Sequence, residues 1–291
     1  MEKTNNIGKS IRTKLLNIAQ SNGVNYQVLL IRYIQERLLY RLSQSTQRKH
    51  FVLKGGALLY AIQDLKARPT LDLDFLGQNI RNNKEDLLQA FREIALIPCP
   101  EDAVTFDPES LSAYEITVNR KYQGISIQIT AHLDSIRQLI SMDIGFGDII
   151  TPGAQNLDYP LALSNLPQAS ILAYSIETLL AEKFEAMISL GEDNSRMKDF
   201  FDVYTILHSF CINDSILKEA IYQTFQNRHT HYTETPTLFS DSFAESHKRE
   251  LQWNNFLKKI QYNSPLSFFE VHRYICHRFR PLLPDGTNLT N

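Results

Sequence analysis

Two aspartates separated by one residue lie inside an apolar stretch of this chain. Asp72 and Asp74 occupy the sequence TLDLDF at residues 70–75. If this stretch is a strand, both aspartate side chains project from one face, with Cα atoms about 6 to 7 Å apart, and Leu71, Leu73 and Phe75 project from the other, buried face. Two carboxylates at this spacing can bind a hard divalent cation such as Mg²⁺ or Mn²⁺, which keeps positions open for phosphate oxygens. The pair predicts a metal site, and the alternative is an edge strand with two solvated acids.

A third acid recurs in a similar setting further along the chain. Asp143 alternates with Ile140, Met142 and Ile144 around the sequence SMDIGFGD, as expected for a half-buried strand. A third carboxylate on a neighbouring strand would complete a set that could hold two metal ions about 3.5 to 4 Å apart across a phosphoryl-transfer centre. Asp148, in loop-like surroundings, is the alternative position for this third acid.

A lysine and two glycines precede a predicted helix upstream of the aspartates. Lys54, Gly55 and Gly56 lead into a predicted helix over residues 57–63, most of which are apolar. Glycines at a helix N-terminus let backbone N–H groups approach an anion. We therefore expect this motif to bind the triphosphate of an NTP, whereas the alternative is a simple Gly-Gly turn.

A second lysine has an unusual position on a later predicted helix. Lys183 falls within the apolar stripe of residues 176–190 rather than on the polar side. It needs an anion there, unless its stem covers apolar surface while the ammonium group reaches water. In the next helix Asp199 and Asp202 lie one turn apart. We expect Asp199 to hold Lys183, and we interpret Asp202 as an acid that stabilises the helix dipole.

The elements that carry these residues predict an α+β fold. Helical spacing of apolar residues indicates two helices over residues 7–44, broken at Asn22-Gly23, and another over residues 84–96. Alternation with a period of two indicates strands between residues 113 and 150, and helices then return to the end of the chain. A Pro- and Gly-rich stretch separates these regions, which predicts two domains, residues 1–166 and 167–291.

Composition places this chain of 291 residues among ordinary globular proteins. No apolar stretch reaches the roughly 18 to 20 residues that span a bilayer, and the start lacks the apolar core of a secretory signal. We therefore expect a cytoplasmic protein without a membrane partner. Cys99, Cys211 and Cys276 lie far apart, and we interpret all three as packing residues.

The formal net charge of −2 means that nucleic acid could be held only by local basic patches. Two clusters are candidates, although each alone is more typical of a solvated helix face. They are Arg48, Lys49 and His50, and near the C-terminus Lys258, Lys259, His272, Arg273, His277, Arg278 and Arg280.

Taken together, these motifs resemble the AbiEii/AbiGii nucleotidyltransferase toxins of type IV toxin–antitoxin and phage-defence systems, including the MenT-type toxins. The resemblance covers residues 51–207 and rests on six motifs in the family's order: FVLKGGALLY, RPTLDLDF, YQGISIQITAHL, MDIGFGD, ETLLAEKFEAM and RMKDFFDVYTI. It implies a polymerase-β-like nucleotidyltransferase core, a mixed sheet with flanking helices, joined to a helical C-terminal lobe.

The resemblance also implies roles for individual residues and an activity. The activity is transfer of a nucleotide from an NTP to a target such as the acceptor end of tRNA, which stops translation until a cognate antitoxin intervenes. The implied roles are nucleotide cradling by Gly55 and Gly56, metal binding by Asp72 and Asp74, the third acid at Asp143, the essential lysine at Lys183, and the acid of the R-x-K-D motif at Asp199.

The sequence departs from related nucleotidyltransferases at one position. Ala57 follows Gly56 where related enzymes often have serine. A hydroxyl contact to phosphate is therefore absent and must be replaced by backbone N–H groups or by Lys183.

Two other functions remain open at this level. The same fold could transfer a nucleotide to a protein side chain or to a small molecule such as an aminoglycoside. A small-molecule acceptor predicts a closed acidic pocket, whereas the basic C-terminal helix favours RNA. From a different class, the protein could be a non-catalytic module whose acids bind an antitoxin. The grouping of Asp72, Asp74, Asp143 and Lys183 favours an enzyme.

Overall fold

The computed structural model describes residues 2–118, 122–232 and 236–283. Contacts within the chain divide it into two compact units. The first unit comprises Met1–Gly147 and Ala154–Tyr174, and the second comprises Asp148–Gly153 and Ser175–Asn291. The division predicted after residue 166 lies within the first unit, before its last strand.

The first unit combines helices with strands. Its elements are α1 (Glu2–Asn22), α2 (Tyr26–Gln44), β1 (Phe51–Lys54), α3 (Gly55–Gln63), β2 (Asp72–Gly77), α4 (Lys84–Ala95), β3 (Val104–Val118), β4 (Tyr122–Leu133), β5 (Ile136–Phe146), β6 (Gln155–Asp158) and β7 (Ser170–Ala173).

The strands that the structure describes form one mixed sheet in the order β3-β4-β5-β2-β1-β7-β6. The pairs β2–β5 and β1–β7 are parallel, and the other neighbouring pairs are antiparallel. Parallel pairing brings β2 beside β5, although long stretches of chain separate them. Residues distant in sequence are therefore placed in register at the centre of the sheet.

Alternating burial explains why β5 is a strand. Ile140, Met142 and Ile144 have no exposed surface, whereas the residues between them are partly exposed. The antiparallel partner β4 buries Ile127 and Ile129 in the same way. The predicted period of two is confirmed, and its apolar side faces the core.

Local sequence signals set the ends of the helices. The side chain of Asn25 caps α2 by accepting from the N–H groups of Gln27 and Val28 at 2.8 and 3.2 Å. Gly23 ends the preceding helix with a φ of +64°, a backbone conformation that favours glycine. The predicted break at Asn22-Gly23 is confirmed.

Two predictions about packing are wrong in detail. Leu71, expected to lie on the buried face of the aspartate strand, precedes β2 and is 56% exposed. Its carbonyl accepts a hydrogen bond from the Gln35 side chain at 2.8 Å. Cys99 and Cys276 are buried as expected, but Cys211 is exposed just after a helix ends.

The second unit is helical among the residues that the structure describes, apart from its connecting segments. Phe184 stacks on Phe279 with ring centroids 4.4 Å apart, and Phe268 contacts Phe200 and Trp253. Such aromatic contacts fill its core. Its helices are α5 (Ile176–Leu190), α6 (Met197–Ser209), α7 (Asp214–Asn227), α8 (Asp241–Ala244), α9 (His247–Lys259) and α10 (Phe268–Phe279).

None of the helices in the described residues is both long enough and apolar enough to cross a membrane.

Helix α2 buries charged and polar residues as well as its apolar stripe. Arg41 forms an ion pair with Asp102 at 2.8 Å, and both side chains are almost completely buried. Glu36 accepts from the Ala162 N–H at 2.7 Å and lies 2.7 Å from the Arg37 guanidinium. These groups are stable inside the protein because each charge meets a partner.

We expect Glu36→Gln to change the pH dependence of stability. Burial raises the pKa of Glu36 from 4.5 to about 7, against the opposing effects of Arg37 and of the Ala162 N–H. The folded protein therefore keeps a proton that the unfolded chain releases, and this contribution to stability is lost as pH rises through about 7. Glutamine does not titrate and lacks this pH-dependent contribution. The free energy of unfolding of Glu36→Gln minus that of wild type should therefore rise between about pH 5 and about pH 8.

Urea unfolding at about pH 5 and about pH 8 measures this difference. Glu115→Gln is the matched control, because the Glu115 side chain is 74% exposed. A stability difference between Glu36→Gln and wild type that is the same at both pH values would contradict the prediction.

Candidate active site

The sheet register brings three of the predicted residues together. Asp74 on β2 pairs with Asp143 on β5 and with Lys54 on β1. Neighbouring strands lie about 4.8 Å apart, and paired residues share a face of the sheet. Asp72 lies on the same face two residues earlier and pairs with Ser141. The third acid therefore lies on the strand beside the first two, as the pattern predicts.

This acidic face is opposite the buried face of the sheet. Leu73 and Phe75, which flank Asp74 on β2, have 0% and 1% of their surface exposed. Asp74 and Asp143 are half-buried, and Asp72 is exposed. The carboxylates are thus held by a rigid strand pair at a surface that ligands can reach.

Lys54 places its ammonium group on the same face of the sheet. A Cβ atom on Gly145, two residues after Asp143, would lie 3.8 Å from the Lys54 Nζ. The Nζ also lies 5.3 Å from the centroid of the Tyr174 ring, and Lys54 is only 9% exposed. The sequence indicated Lys54, but neither Gly145 nor Tyr174. A glycine that alternates with Asp143 in β5 was the available signal.

Helix α3 begins directly beside the Asp74 carboxylate. Gly55 has a φ of +67°, and a Cβ atom there would lie 2.0 Å from the Asp74 Oδ2. Only glycine therefore fits at this position. A Cβ on Gly56 would lie 2.6 Å from the Thr70 Oγ1, so a side chain there requires Thr70 to move. Lys54 occupies the N-cap position of α3, and its side chain makes no capping hydrogen bond. The N-terminus of a helix is a favourable place for an anion.

The donor atoms of the acidic face suit a hard divalent cation. Mg²⁺ is usually held by one or two carboxylates together with water and phosphate oxygens. The paired carboxylates of Asp74 and Asp143 match that donor set, and Asp72 adds a third oxygen donor on the same face. Within the described residues, no three His, Cys, Asp or Glu side chains are grouped as ligands of one metal ion. Metal binding by all three acids stays a prediction.

Lys183 lies in the second unit within a buried group of charges. Its Nζ donates to the Asp199 Oδ1 and to the Asp202 Oδ2, both at 2.8 Å. Arg196 contacts the other oxygen of Asp199 at 2.7 Å. The expected contact between Asp199 and Lys183 is present, and the two cations balance the two carboxylates. Joint action of Lys183 with the three acids of the sheet stays a prediction.

The interpretation of Asp202 as a helix-dipole acid is wrong. Its side chain is 2% exposed and is hydrogen-bonded to Lys183. For Asp199, burial would raise the pKa, but the attraction of Lys183 and Arg196 outweighs it and holds the pKa below its usual range. Asp199 is therefore an ionised partner of the buried lysine, and Asp202 is the second hydrogen-bond acceptor of its ammonium group.

Asp148, the alternative third acid, belongs to a different group. It accepts from the Arg228 guanidinium at 2.9 Å, and Glu185 and Glu182 contact the same guanidinium at 2.9 and 3.2 Å. Burial alone would lower the pKa of Arg228, but the three carboxylates raise it above its ordinary value. Asp148 is therefore used in an ion pair within the second unit, which favours Asp143 as the third acid.

The basic clusters are only partly available to a ligand. His272 is buried against the Leu238 carbonyl, and Arg278 pairs with Asp214. Arg48 donates to the Ser170 carbonyl and to the Asn156 side chain. The exposed members on α10 are Arg273 and His277, followed by Arg280 just after the helix.

The chain matches a known protein family over most of its length. Residues 37–280 match the family described as nucleotidyl transferase AbiEii toxin, type IV TA system. The chain belongs to this family. As a member of the AbiEii family, the protein is a nucleotidyltransferase. Membership implies an NTP substrate and an antitoxin partner. No curated protein matches the chain.

Two solved structures share the fold of the AbiEii chain at low sequence identity. The MenT4 nucleotidyltransferase toxin from Mycobacterium tuberculosis H37Rv is 14% identical, with a TM-score of 0.58, over 94% of this chain and 89% of its own. A candidate nucleotidyltransferase from Helicobacter pylori is also 14% identical, with a TM-score of 0.52, over 90% of this chain and 100% of its own. The predicted α+β nucleotidyltransferase fold is confirmed.

We expect Gly55→Ala to lower activity by about 100-fold, because the new Cβ must displace the Asp74 carboxylate. A displacement near 1 Å can lower a rate by about 100-fold. Pyrophosphate release from a mixture of the four NTPs measures the rate, with total cell extract as the source of acceptor.

Gly23→Ala is the matched control for Gly55→Ala. Gly23 has nearly the same φ, +64°, but a Cβ there would meet nothing within 4 Å. Both variants carry the left-handed backbone cost of roughly 1 to 2 kcal/mol, and only Gly55→Ala should lose activity. Equal activity in the two variants would show that the contact with Asp74 does not matter.

We expect Lys183→Met to lower the free energy of unfolding by about 3 to 5 kcal/mol, because two buried carboxylates lose their shared partner. Urea unfolding followed by circular dichroism measures the change. Lys218→Met, at an exposed lysine of α7, should change stability by less than about 1 kcal/mol. A Lys183→Met protein as stable as wild type would contradict the importance of this ion pair for folding.

Proposed function

We propose that the protein is a metal-dependent toxin that transfers a nucleotide from an NTP to the acceptor end of tRNA and thereby inhibits translation. The observation that carries the metal-dependent transfer is the register of Asp74 with Asp143 and Lys54. It groups two carboxylates and an ammonium on one face, beside a helix N-terminus. Oxygen donors for a divalent cation and cationic donors for phosphate are thus side by side.

In this proposal each residue of the sheet has a separate task. Asp72 and Asp74 hold Mg²⁺ or Mn²⁺, which when bound supplies positive charge to the phosphates of the NTP. The N–H groups at Gly55 and Gly56, together with Lys54, bind phosphate oxygens. The 3′-hydroxyl of the acceptor attacks the α-phosphorus, its proton passes to Asp143, and pyrophosphate leaves.

Lys183 has a proposed role in addition to its ion pairs. Its ammonium would balance negative charge on the triphosphate as pyrophosphate departs, with Asp199 holding it in position. Fixed charges of this kind accelerate a reaction because they need no reorganisation during the step. Asp202 shares the positioning task.

A nucleic-acid acceptor is favoured by the surface of α10. Arg273 and His277 lie one turn apart and are exposed, and the Arg273 guanidinium lies 5.5 Å from the ring centroid of the exposed Phe269. Cations interleaved with an aromatic ring are typical of surfaces that contact single-stranded nucleic acid. The acceptor end of tRNA is single-stranded. Because the proposed substrates, NTP and tRNA, are present in the cytoplasm, the proposed activity would take place there.

The test is incubation of the purified protein with each labelled NTP, Mg²⁺ or Mn²⁺, and total tRNA. We expect label on tRNA from one or more NTPs, and no label with Asp74→Ala. Periodate-oxidised tRNA, which lacks an intact 3′-terminal ribose, should remain unlabelled. Removal of the metal with EDTA should have the same effect as the Asp74 substitution.

Other outcomes of this assay would redirect the proposal. Label that stays on a protein band would identify a protein acceptor, and label on a small molecule in cell extract would identify a small-molecule acceptor. Full activity in both Asp72→Ala and Asp74→Ala would show that the assigned acids do not carry the reaction. A folded protein without NTP turnover in whole extract would favour the non-catalytic, antitoxin-binding alternative.

A further inference from the structure

The segment that leads into the acidic strand has no regular structure of its own. We call residues 67–71, between the turn at Asp64–Lys66 and the start of β2, the entry segment. None of its residues belongs to a strand, and its backbone carbonyls need hydrogen-bond partners. Asp72 follows this segment directly as the first residue of β2.

Asp72 depends on the entry segment more than Asp74 does. β1 pairs with β2 only from Asp74 to Gly77, whereas β5 pairs with it from Asp72 to Gly77. Asp74 is therefore fixed by a strand on each side. Asp72 has a strand partner on one side only, so its position follows the chain that precedes it.

Two buried side chains of α2 hold the entry segment through its carbonyls. The Arg32 guanidinium donates to the carbonyls of Ala67 and Arg68 at 3.0 and 3.3 Å. The Gln35 amide donates to the Leu71 carbonyl at 2.8 Å, immediately before Asp72. Arg32 is 4% exposed and Gln35 is 1% exposed. Polar side chains are seldom this deeply buried unless their hydrogen bonds are needed.

The entry segment also lies against helix α3, which begins with the glycine pair. The Arg32 guanidinium lies 4.3 Å from the centroid of the Tyr60 ring on α3. Thr70 of the entry segment lies so close to Gly56 that a Cβ on that glycine would come within 2.6 Å of its hydroxyl. The entry segment is thus fixed between α2 and the start of α3.

We propose that Arg32 and Gln35 are positioning residues for metal binding, because they fix the segment that sets the place of Asp72. This inference rests on the proposed function of the acids. Both residues precede residue 37, where the match to the AbiEii family begins. They touch neither metal nor nucleotide and act through the backbone of residues 67–71.

The test is Mn²⁺ binding to the full-length protein, measured by electron paramagnetic resonance without nucleotide. Substitution of a residue that supports a metal ligand through hydrogen bonds typically lowers metal affinity by about 10- to 100-fold. We expect Gln35→Met and Arg32→Met to raise the Kd for Mn²⁺ by about tenfold or more. Arg32→Lys, which keeps a cationic donor, should recover part of the affinity.

Arg37→Met is the matched control on the same helix. Arg37 is a buried arginine that donates two hydrogen bonds to one carbonyl, at Pro167, but that carbonyl does not lead into the acidic strand. It should lose stability while its Kd for Mn²⁺ stays within about twofold of wild type. Thermal unfolding confirms that each variant is folded at the temperature of the binding measurement. Gln35→Met loses a single neutral hydrogen bond and is the variant that best preserves the fold.

The outcomes separate this inference from the function on which it rests. Wild-type Mn²⁺ binding that disappears in Asp74→Ala establishes the metal site. An unchanged Kd in folded Gln35→Met would then overturn the positioning role alone, as would an equal loss of affinity in Arg37→Met. Absence of Asp74-dependent Mn²⁺ binding in the wild type would overturn both proposals.

Discussion

The acidic face depends on one register, in which Asp74 pairs with Asp143 on one side and with Lys54 on the other. Because side chains alternate along a strand, a shift of one residue in β2 or β5 would turn a carboxylate toward the core. The apolar neighbours prevent that shift, since Leu73 and Met142 are completely buried. The packing of the hydrophobic face thereby sets the geometry of the opposite, acidic face.

The same register has an electrostatic cost that explains the surrounding residues. Two carboxylates on neighbouring strands repel each other, and each favours a nearby positive charge. Lys54 supplies one such charge within the first unit, with its ammonium group next to Gly145. A divalent cation would supply more. Gly55 lies against the Asp74 carboxylate, where a Cβ atom would not fit. The backbone at the start of α3 is therefore held close to this negative charge.

Periodicity predicted the elements well because burial is one-sided in them. The helix expected over residues 176–190 is present as α5, Ile176–Leu190, and the strand around Asp143 lies where alternation predicted it. The acids of the sheet were accessible to the same reasoning, since a charged residue in an alternating apolar pattern marks the exposed face. The exact register that pairs Asp74 with Asp143 was not, because the register of parallel strands depends on chain that is distant in sequence.

Other features could not be predicted because they depend on tertiary contacts. The polar residues of α2 fit a solvated face by sequence, yet Arg32 and Gln35 are buried because they hydrogen-bond to a segment about 35 residues away. Asp202 fits a helix-dipole acid by position, yet it is buried against Lys183 on another helix. In each case the partner, rather than the residue's own helix, determines the role.

The alanine after the glycine pair shows how the phosphate contacts must be distributed. Ala57 has no exposed surface, and its carbonyl accepts from the Tyr159 hydroxyl at 3.2 Å. The Cβ of residue 57 is buried, so a serine here would bring its hydroxyl into a buried site, where an unpaired hydroxyl is unfavourable. The local packing thus fits alanine, and a phosphate contact from residue 57 is confined to its backbone N–H. Within the first unit, the positive charge nearest in sequence to this helix N-terminus is Lys54, which occupies the N-cap position of α3. The loss of one hydroxyl contact is therefore compatible with nucleotide binding by this sheet and helix.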